Sequence, residues 1–297
     1  MNAPQGFSYS GQSYYGRPAV KASPYGWKVA LYTVLGGLAG AAQVIATLAD
    51  LAAPRRNKRL VKAGRIIAAF NGLVAGPALL IADLHTPQRW YNMLRIFRRT
   101  SPMSIGSYVL SAFGGFSALS LVPKIDRVAQ VPAAIAGAGM ASYTPALLAT
   151  TATPLWSAAP RTLGGEFATA AFASGAAALM FCSSEKALES AACVATLAYG
   201  AAAYAARREH ERQRVDGPLR HGKWAGAHKA GLALSIALPL ACFAMNSVLG
   251  RSRERSVLGA AGILAGAFLS RWALFEGGNE SARSAPDYLR LASKSWN

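Results

Sequence analysis

The stretch Trp27-Lys-Val-Ala-Leu-Tyr-Thr-Val-Leu-Gly-Gly-Leu-Ala-Gly-Ala-Ala-Gln-Val-Ile-Ala-Thr-Leu-Ala-Asp50 decides the fold. Between Lys28 and Asp50 it carries no charge, and a helix of about 20 apolar residues is what crosses the hydrocarbon layer of a bilayer. Seven more apolar blocks follow, at 62–83, 103–122, 131–156, 165–183, 187–206, 226–247 and 256–276. The fifth and sixth are Ala-rich, and only Ser183, Ser184, Glu185 and Lys186 separate them, a spacing that fits a tight hairpin. The pattern predicts an all-α integral membrane protein of eight transmembrane helices in two four-helix bundles.

Composition agrees. Of 297 residues, 53% are hydrophobic and 15% charged, whereas soluble domains carry about a quarter charged residues. A soluble bundle of this size needs a polar face on its helices, and these blocks lack one. The formal charge of +18 does not point to nucleic acid. The cations gather at the ends of apolar blocks, where Lys and Arg set topology and meet lipid headgroups. Membrane lipid is therefore an expected partner and nucleic acid is not. Cys182, Cys193 and Cys242 sit within apolar blocks without a CxxC pattern, and read as small core residues. Gly36 with Gly40, Gly72 with Gly76 and Gly262 with Gly266 are small-xxx-small pairs that let helices approach closely in lipid.

The expected organisation is an extramembrane arm at 1–26, a first bundle at 27–156, a second at 157–276 and an extramembrane tail at 277–297. The arm lacks the charged start and short apolar run of a cleavable signal peptide, so the first block both targets the chain and stays in it. An even number of spans puts both termini on one side, face A, together with the 84–102 and 207–225 loops. Face B holds the 51–61 and 248–255 loops and the Glu185–Lys186 turn. Basic residues populate both faces, and 51–65 alone holds six, so the positive-inside rule leaves the orientation open.

Haem of the b type needs pairs of axial histidines inside the spans. His85 and His228 lie at span ends and His210 and His221 in the 207–225 loop, so neither haem nor a dedicated metal site is expected. Asp50, Asp83, Glu166, Glu189 and Glu276 all fall near predicted span ends, where hydration is cheap. Arg271 lies deeper and needs a partner; Glu276 or a helix-end carbonyl would serve. Between Arg89 and Arg99, Trp90, Leu94 and Phe97 recur at spacings of four and three, which predicts a short amphipathic helix lying in the interface. Ser101 then caps the third span, with Pro102 in its first turn.

The run Arg89-Trp-Tyr-Asn-Met-Leu-Arg-Ile-Phe-Arg-Arg-Thr-Ser-Pro-Met-Ser-Ile-Gly106 resembles the signature of the polysulfide reductase membrane-subunit family, also called NrfD-like. Other pieces agree in order and spacing. They are Gly36-Gly-Leu-Ala-Gly40 in the first span, Tyr143-Thr144 and Thr153-Pro-Leu-Trp156 in the fourth, Arg271 in the eighth and Ser281-Ala-Arg-Ser-Ala-Pro-Asp-Tyr288 after it. The arm, Tyr14-Tyr-Gly-Arg-Pro18 with Val20-Lys21, is similar to a subgroup encoded beside molybdopterin formate-dehydrogenase-like enzymes.

The resemblance implies a multi-pass subunit of the bacterial inner (cytoplasmic) membrane, with no haem or iron–sulfur cluster of its own. Such a subunit binds a quinone, menaquinone or ubiquinone, in its first half, near the face where a four-cluster ferredoxin-like iron–sulfur subunit docks. A molybdopterin catalytic subunit lies beyond, and electrons pass between the quinone pool and the iron–sulfur partner of this respiratory complex. Carried over by residue, the quinone pocket involves Tyr32, where the family often has a histidine, and Tyr143. A phenol can still hydrogen-bond a quinone oxygen. At about 1.5 Å per residue, Tyr32 would lie roughly 9 Å below face A and Tyr143 roughly 19 Å. Asp83 and His85 would supply or accept the quinol protons. Lys28 would orient a quinone oxygen or snorkel to the surface, and Asn92, Arg95 and Arg98 would hold the docked partner. The rival readings are a proton or ion translocator using Asp50, Glu189 and other face B acids, and a passive anchor. No single span carries a continuous polar row, which ranks the translocator lower. A solute transporter ranks last, since no matching pair of broken helices appears in the two halves.

Overall fold

A computed structural model describes residues 20–53, 56–284, 286–287 and 289. Tyr14 to Pro18 of the arm, Tyr288, and the tail from 290 onward lie outside the described residues. Within them the chain is helical, without strands, and eight long helices can be traced. These are α1 (Trp27–Ala52), α2 (Lys58–Asp83), α3 (Pro102–Leu119), α4 (Asp126–Ala149), α5 (Pro160–Met180), α6 (Lys186–Gln213), α7 (Ala225–Val248) and α8 (Arg253–Arg283). Five of them, α1, α2, α4, α7 and α8, are long and apolar enough to cross a membrane. In α3 Ser and Gly dilute the hydropathy, and in α5 and α6 Ala and Gly do so along with several charges.

The surface is inverted relative to a soluble bundle. Val128 and Ile135 on α4, Val194 and Leu197 on α6 and Val248 on α7 point outward and are exposed, while Gln43, Gln130, Glu166 and Arg271 are buried. Exposed apolar faces of this extent mark a surface that something apolar must cover.

Consecutive helices run in alternating directions. Tyr32 of α1 meets Tyr143 of α4, and at the other end Thr47 bonds to the Gln130 carbonyl of α4 at 3.3 Å. Between these ends the two backbones touch at Gly40 and Gly137. On its other side α1 runs parallel to α5, with Gly37 against Ala171 and Gly175 against Ala41 and Ala42. Thus α1 is the most enclosed of the five apolar helices, gripped by both halves. All three small-residue pairs sit at helix contacts: Gly36 and Gly40 on α4, Gly72 and Gly76 on α3, and Gly262 and Gly266 on α7.

Two helices carry a π-turn, α2 at Asn71–Ala75 and α7 at Ala233–Ala237. Each turn ends two residues before a proline, Pro77 or Pro239. A proline lacks the N–H that the ladder needs and crowds the preceding turn, and a widened turn absorbs that misfit while the helix continues.

Several boundaries differ from the hydropathy reading. The fourth block does not stay helical to 156: α4 ends at Ala149, and Thr153-Pro-Leu-Trp156 belongs to a separate one-turn helix, Pro154–Ser157. Thr150 and Thr151 turn their hydroxyls back onto carbonyls of the last turn of α4, and Pro154 cannot continue the ladder. Helix α6 extends through most of the residues read as the start of the 207–225 loop. There Arg207 pairs with Glu211 at 2.9 Å and Arg212 with Glu209 at 3.6 Å, one turn apart along the helix. Helix α8 runs on to Arg283, with Gly277, Gly278, Ser281 and Ala282 buried.

The Gly40–Gly137 contact leaves no room for a methyl group. A Cβ on Gly40 would strike the Gly137 carbonyl, its carbon 3.0 Å away, and the Met140 Cβ at 3.1 Å. Gly40→Ala is expected to cost about 1–3 kcal/mol, read as a lower thermal midpoint of the purified protein in detergent. Gly115→Ala, which meets nothing within 4 Å, should leave the midpoint unchanged or raise it.

Candidate functional site

A cavity opens at the face A end of the first half, where α1 begins, α2 ends, α3 begins and α4 ends. Helix α1 contributes Val29 and Tyr32, α2 contributes Leu79, Leu80 and Asp83, α3 contributes Met103 and Ser107, and α4 contributes Tyr143 and Leu147. Tyr25, two residues ahead of α1, completes the lining. The enclosed volume is ≈ 40 Å³, room for one or a few waters. A six-membered ring enters only if an edge of the cavity moves. The edge best suited to move is Met103, an exposed and flexible side chain.

Tyr32 and Tyr143 meet at the inner end and share a hydrogen bond between their hydroxyls. Tyr32 is buried and Tyr143 half-buried. The unequal depths expected for them are corrected by the early end of α4. Tyr143 stands six residues from Ala149 and Tyr32 five from Trp27, so both lie at similar depth below face A. Gly106 makes the place for Tyr143, since a Cβ there would come within 2.8 Å of the ring carbon that bears the hydroxyl. The glycine at the end of the loop motif thus has a structural task at the cavity. A shared hydrogen bond uses one of the two phenolic hydrogens and leaves the other to donate to a third atom.

At the mouth, Asp83 is the last residue of α2, with Lys28 and His85 as its electrostatic neighbours. The Lys28 ammonium donates to the Ala82 carbonyl at 2.9 Å, closing the C-terminal end of α2 with a cation. Lys28 thus caps α2, a contact that neither expected role of Lys28 named. Tyr25 lies outside the membrane-crossing part, and burial, with a further push from the Asp83 carboxylate, raises its phenol above the usual range. Its ring stacks on Trp156 at 6.2 Å between centroids, and Trp156 packs on Phe275 of α8 at 5.6 Å. Trp156 also donates its indole N–H to the Leu274 carbonyl at 3.1 Å, and the Leu155 N–H bonds to Ser281 Oγ at 3.2 Å. The second half thereby buttresses one wall of a cavity built by the first.

The loop that precedes α3 differs from its expected form. A 3-10 turn, Pro87–Arg89, and one helical turn, Asn92–Arg95, replace the predicted amphipathic helix, and Ile96 is extended. Tertiary hydrogen bonds compete with the local pattern here. Tyr108 donates to the Leu94 carbonyl at 2.8 Å, Ser104 donates to the Ile96 carbonyl at 3.2 Å and accepts from the Arg98 N–H at 3.0 Å. Phe97 meets the Tyr108 ring edge-on at 5.0 Å. Ser101 caps α3 as expected, accepting from the Ser104 N–H at 3.3 Å. His85, Asn92, Arg95 and Arg98 are exposed along this loop. Of the residues singled out from sequence, Tyr32, Asp83 and Tyr143 line the cavity, Lys28 and His85 stand near Asp83 outside the lining, and Asn92, Arg95 and Arg98 form an outer surface. Tyr25, Met103 and Ser107 were not anticipated; Ser107 directly follows the motif, and Tyr25 is one aromatic among several in the arm.

Charged clusters also lie elsewhere among the described residues. At face B, Arg65 of α2 donates to Asp126 at 2.9 Å and to Gln130 at 2.8 Å and pairs with Asp50 at 3.5 Å. In the second half the Arg271 guanidinium stacks over the Phe167 ring at 3.1 Å, with Glu166 as its electrostatic partner. Glu276, the partner weighed for Arg271 from sequence, instead accepts from the Trp272 indole at 3.4 Å. Among the described residues no three His, Cys, Asp or Glu side chains gather as a metal-ligand group.

Comparison with known proteins gives one family: the profile of polysulphide reductase, NrfD, matches residues 18–280. No curated protein matches the chain.

The loop hangs on few bonds, so Tyr108→Phe should release it. The loss of one hydrogen bond is expected to cost about 1 kcal/mol, read as faster tryptic cleavage at Arg95, Arg98 and Arg99 with the thermal midpoint little changed.

Proposed function

Because the chain belongs to the NrfD family of polysulphide reductase membrane subunits, which serve redox complexes and are generally quinone-linked, we propose that its face A cavity is a quinone site. In that reading the chain is the quinone-interacting membrane anchor subunit of a respiratory oxidoreductase complex in a bacterial inner membrane, and all eight long helices cross it. The protein is a multi-pass membrane protein, and members of its family typically partner with iron–sulfur and molybdopterin subunits.

The observation that carries the proposal is the hydrogen-bonded pair Tyr32–Tyr143 at the inner end of a cavity whose mouth holds Asp83. The chemistry of the lining suits a quinone headgroup, which the ≈ 40 Å³ cavity admits once the Met103 edge moves aside. Phenol groups stand at one end, Val29, Leu79, Leu80 and Leu147 give the cavity aliphatic walls, and a flexible Met103 edges the opening. When bound, a quinone supplies two-electron, two-proton redox chemistry at its ring oxygens. Tyr32 and Tyr143 orient a ring oxygen with the one phenolic hydrogen their mutual bond leaves free. Asp83, at the aqueous end, takes up or gives a proton at its carboxylate and exchanges it with face A, with His85 at the rim as the next carrier. Lys28 holds the end of α2 and so positions Asp83. The exposed loop, with Asn92, Arg95 and Arg98, presents a cationic surface beside the cavity to a four-cluster ferredoxin-like iron–sulfur subunit, with a molybdopterin catalytic subunit beyond it.

A second reading, proton translocation, has its own support. Although no single span carries a polar row, three helices together make one. From Asp50 and Asp126 at face B it passes through Arg65 and Gln130 to Thr47 and on to Gln43, which is buried midway along α1.

Quinone-analogue binding to the purified complex tests the first reading. Tyr32→Phe/Tyr143→Phe, which removes both phenolic hydrogens, is expected to weaken binding about fivefold to tenfold, the worth of one hydrogen bond, and His85→Ala to change it less. Unchanged affinity in the double variant, with assembly intact, would move the site elsewhere; no binding by the wild type would leave a passive anchor. Proton counting in proteoliposomes addresses the second. There Gln43→Leu should lower the number of protons moved per electron pair while quinone-analogue binding holds, and an unchanged count discards translocation through this row.

A further inference from the structure

Face B carries a basic cavity unrelated to the tyrosine site. It is formed where α2, α6 and α8 begin and α5 ends, and Arg56, Lys58, Arg59 and Arg253 line it together with Ser183 and Ser184. One carboxylate, Glu185, shares the lining. The volume is ≈ 460 Å³. Arg56, Lys58, Arg59 and Arg253 are exposed and have no acidic partner within salt-bridge distance among the described residues. Arg253 is nonetheless held in place, donating to Ser184 Oγ and, at 3.1 Å, to the Phe181 carbonyl.

The cavity is not closed on itself. Ser183, Ser184 and Arg253 also line a second, adjacent space of ≈ 220 Å³ that Arg251 lines as well. Arg251 stands in turn at the head of a groove of ≈ 750 Å³ between α6 and α7, walled by Val194, Leu197, Leu240 and Phe243. Arg251 is already paired with Glu189 at 2.8 Å, and Lys186 at the start of α6 also lines the groove, so the unpaired positive charge lies along the face B ends of α2, α6 and α8 and the apolar wall farther along α6 and α7. Cations at the ends of membrane helices with an aliphatic groove leading away along the helices are complementary to a phosphodiester headgroup and its acyl chain.

We propose that this face binds an anionic phospholipid, its phosphate held by Lys58, Arg59 and Arg253 and one acyl chain laid in the groove between α6 and α7. The phosphate chemistry alone would also suit a free phosphate ion, but the groove beyond Arg251 favours the lipid.

The test titrates full-length protein in detergent with cardiolipin, with phosphatidylcholine and with inorganic phosphate, counting bound lipid by native mass spectrometry. Wild type should retain cardiolipin over phosphatidylcholine, and inorganic phosphate should not displace it. Each interfacial cation is worth about a factor of five, so Lys58→Gln/Arg59→Gln should weaken cardiolipin retention about 25-fold, and Lys58→Arg/Arg59→Lys should restore it. Both residues are exposed, so the thermal midpoint in phosphatidylcholine should match wild type and exclude misfolding. Displacement by millimolar phosphate would make this a soluble-anion site and overturn the proposal. Equal retention of the two lipids, or undiminished cardiolipin binding by Lys58→Gln/Arg59→Gln, would overturn it as well.

Discussion

Backbone contact between α1 and its neighbours is the constraint on which the rest of the molecule hangs. Between helices in lipid the hydrophobic effect gives little drive, and close van der Waals contact must supply it. At Gly40 and Gly137 the backbones of α1 and α4 touch, and on its other side α1 lies against α5 through Gly37, Ala171 and Gly175. One helix therefore joins the two halves. Because α1 and α4 are antiparallel and locked at their midpoints, Tyr32 and Tyr143 are carried to the same end and the same depth. The hydrogen bond between them is a consequence of the glycine contact as much as of the tyrosines.

The same contact explains how polar groups survive inside. Asp50, Arg65, Asp126 and Gln130 come from three helices; Arg65 donates to Asp126 and Gln130 and pairs with Asp50, and the Gln130 amide donates to Asp50. A charge inside a bilayer is costly unless it is paired or reaches water, and the glycine and alanine faces of α1 allow these side chains to meet. Arg271 is treated differently, with the Phe167 ring beneath its guanidinium and Glu166 nearby. Such charges are arranged by partners on other helices, which span-by-span hydropathy does not see.

The cavity at face A depends on long-range support. Its floor is set by α1 and α4, its mouth by the end of α2 and the start of α3, and Tyr25 is held by Trp156 and, from the second half, by Phe275. The motif pieces that looked separate in the chain meet there. Gly106 makes room for Tyr143, and the Thr153-Pro-Leu-Trp156 turn is pinned by Ser281 through Leu155. The family profile, matching residues 18–280, covers Gly106, Tyr143 and the Thr153–Trp156 turn and ends one residue short of Ser281.

Much was legible in the chain because a bilayer is an undemanding reader: length and apolarity are enough to mark a helix that must satisfy its own backbone. The apolar blocks, the capping of α3 by Ser101 and the glycine pairs at helix contacts were all available there, as were the identities of Lys28, Tyr32, Asp83 and Tyr143, though not the shared depth of the two tyrosines. The end of α4, the shape of the 84–101 loop, the continuation of α6 to Gln213, the partner of Arg271 and the polar row from Asp50 to Gln43 were not. Each of these rests on groups far apart in sequence, such as the bonds of Tyr108 and Ser104 to the loop or of Arg65 to Asp126. Periodicity reports which face of a helix is apolar, and only the packing of eight helices settles what that face meets.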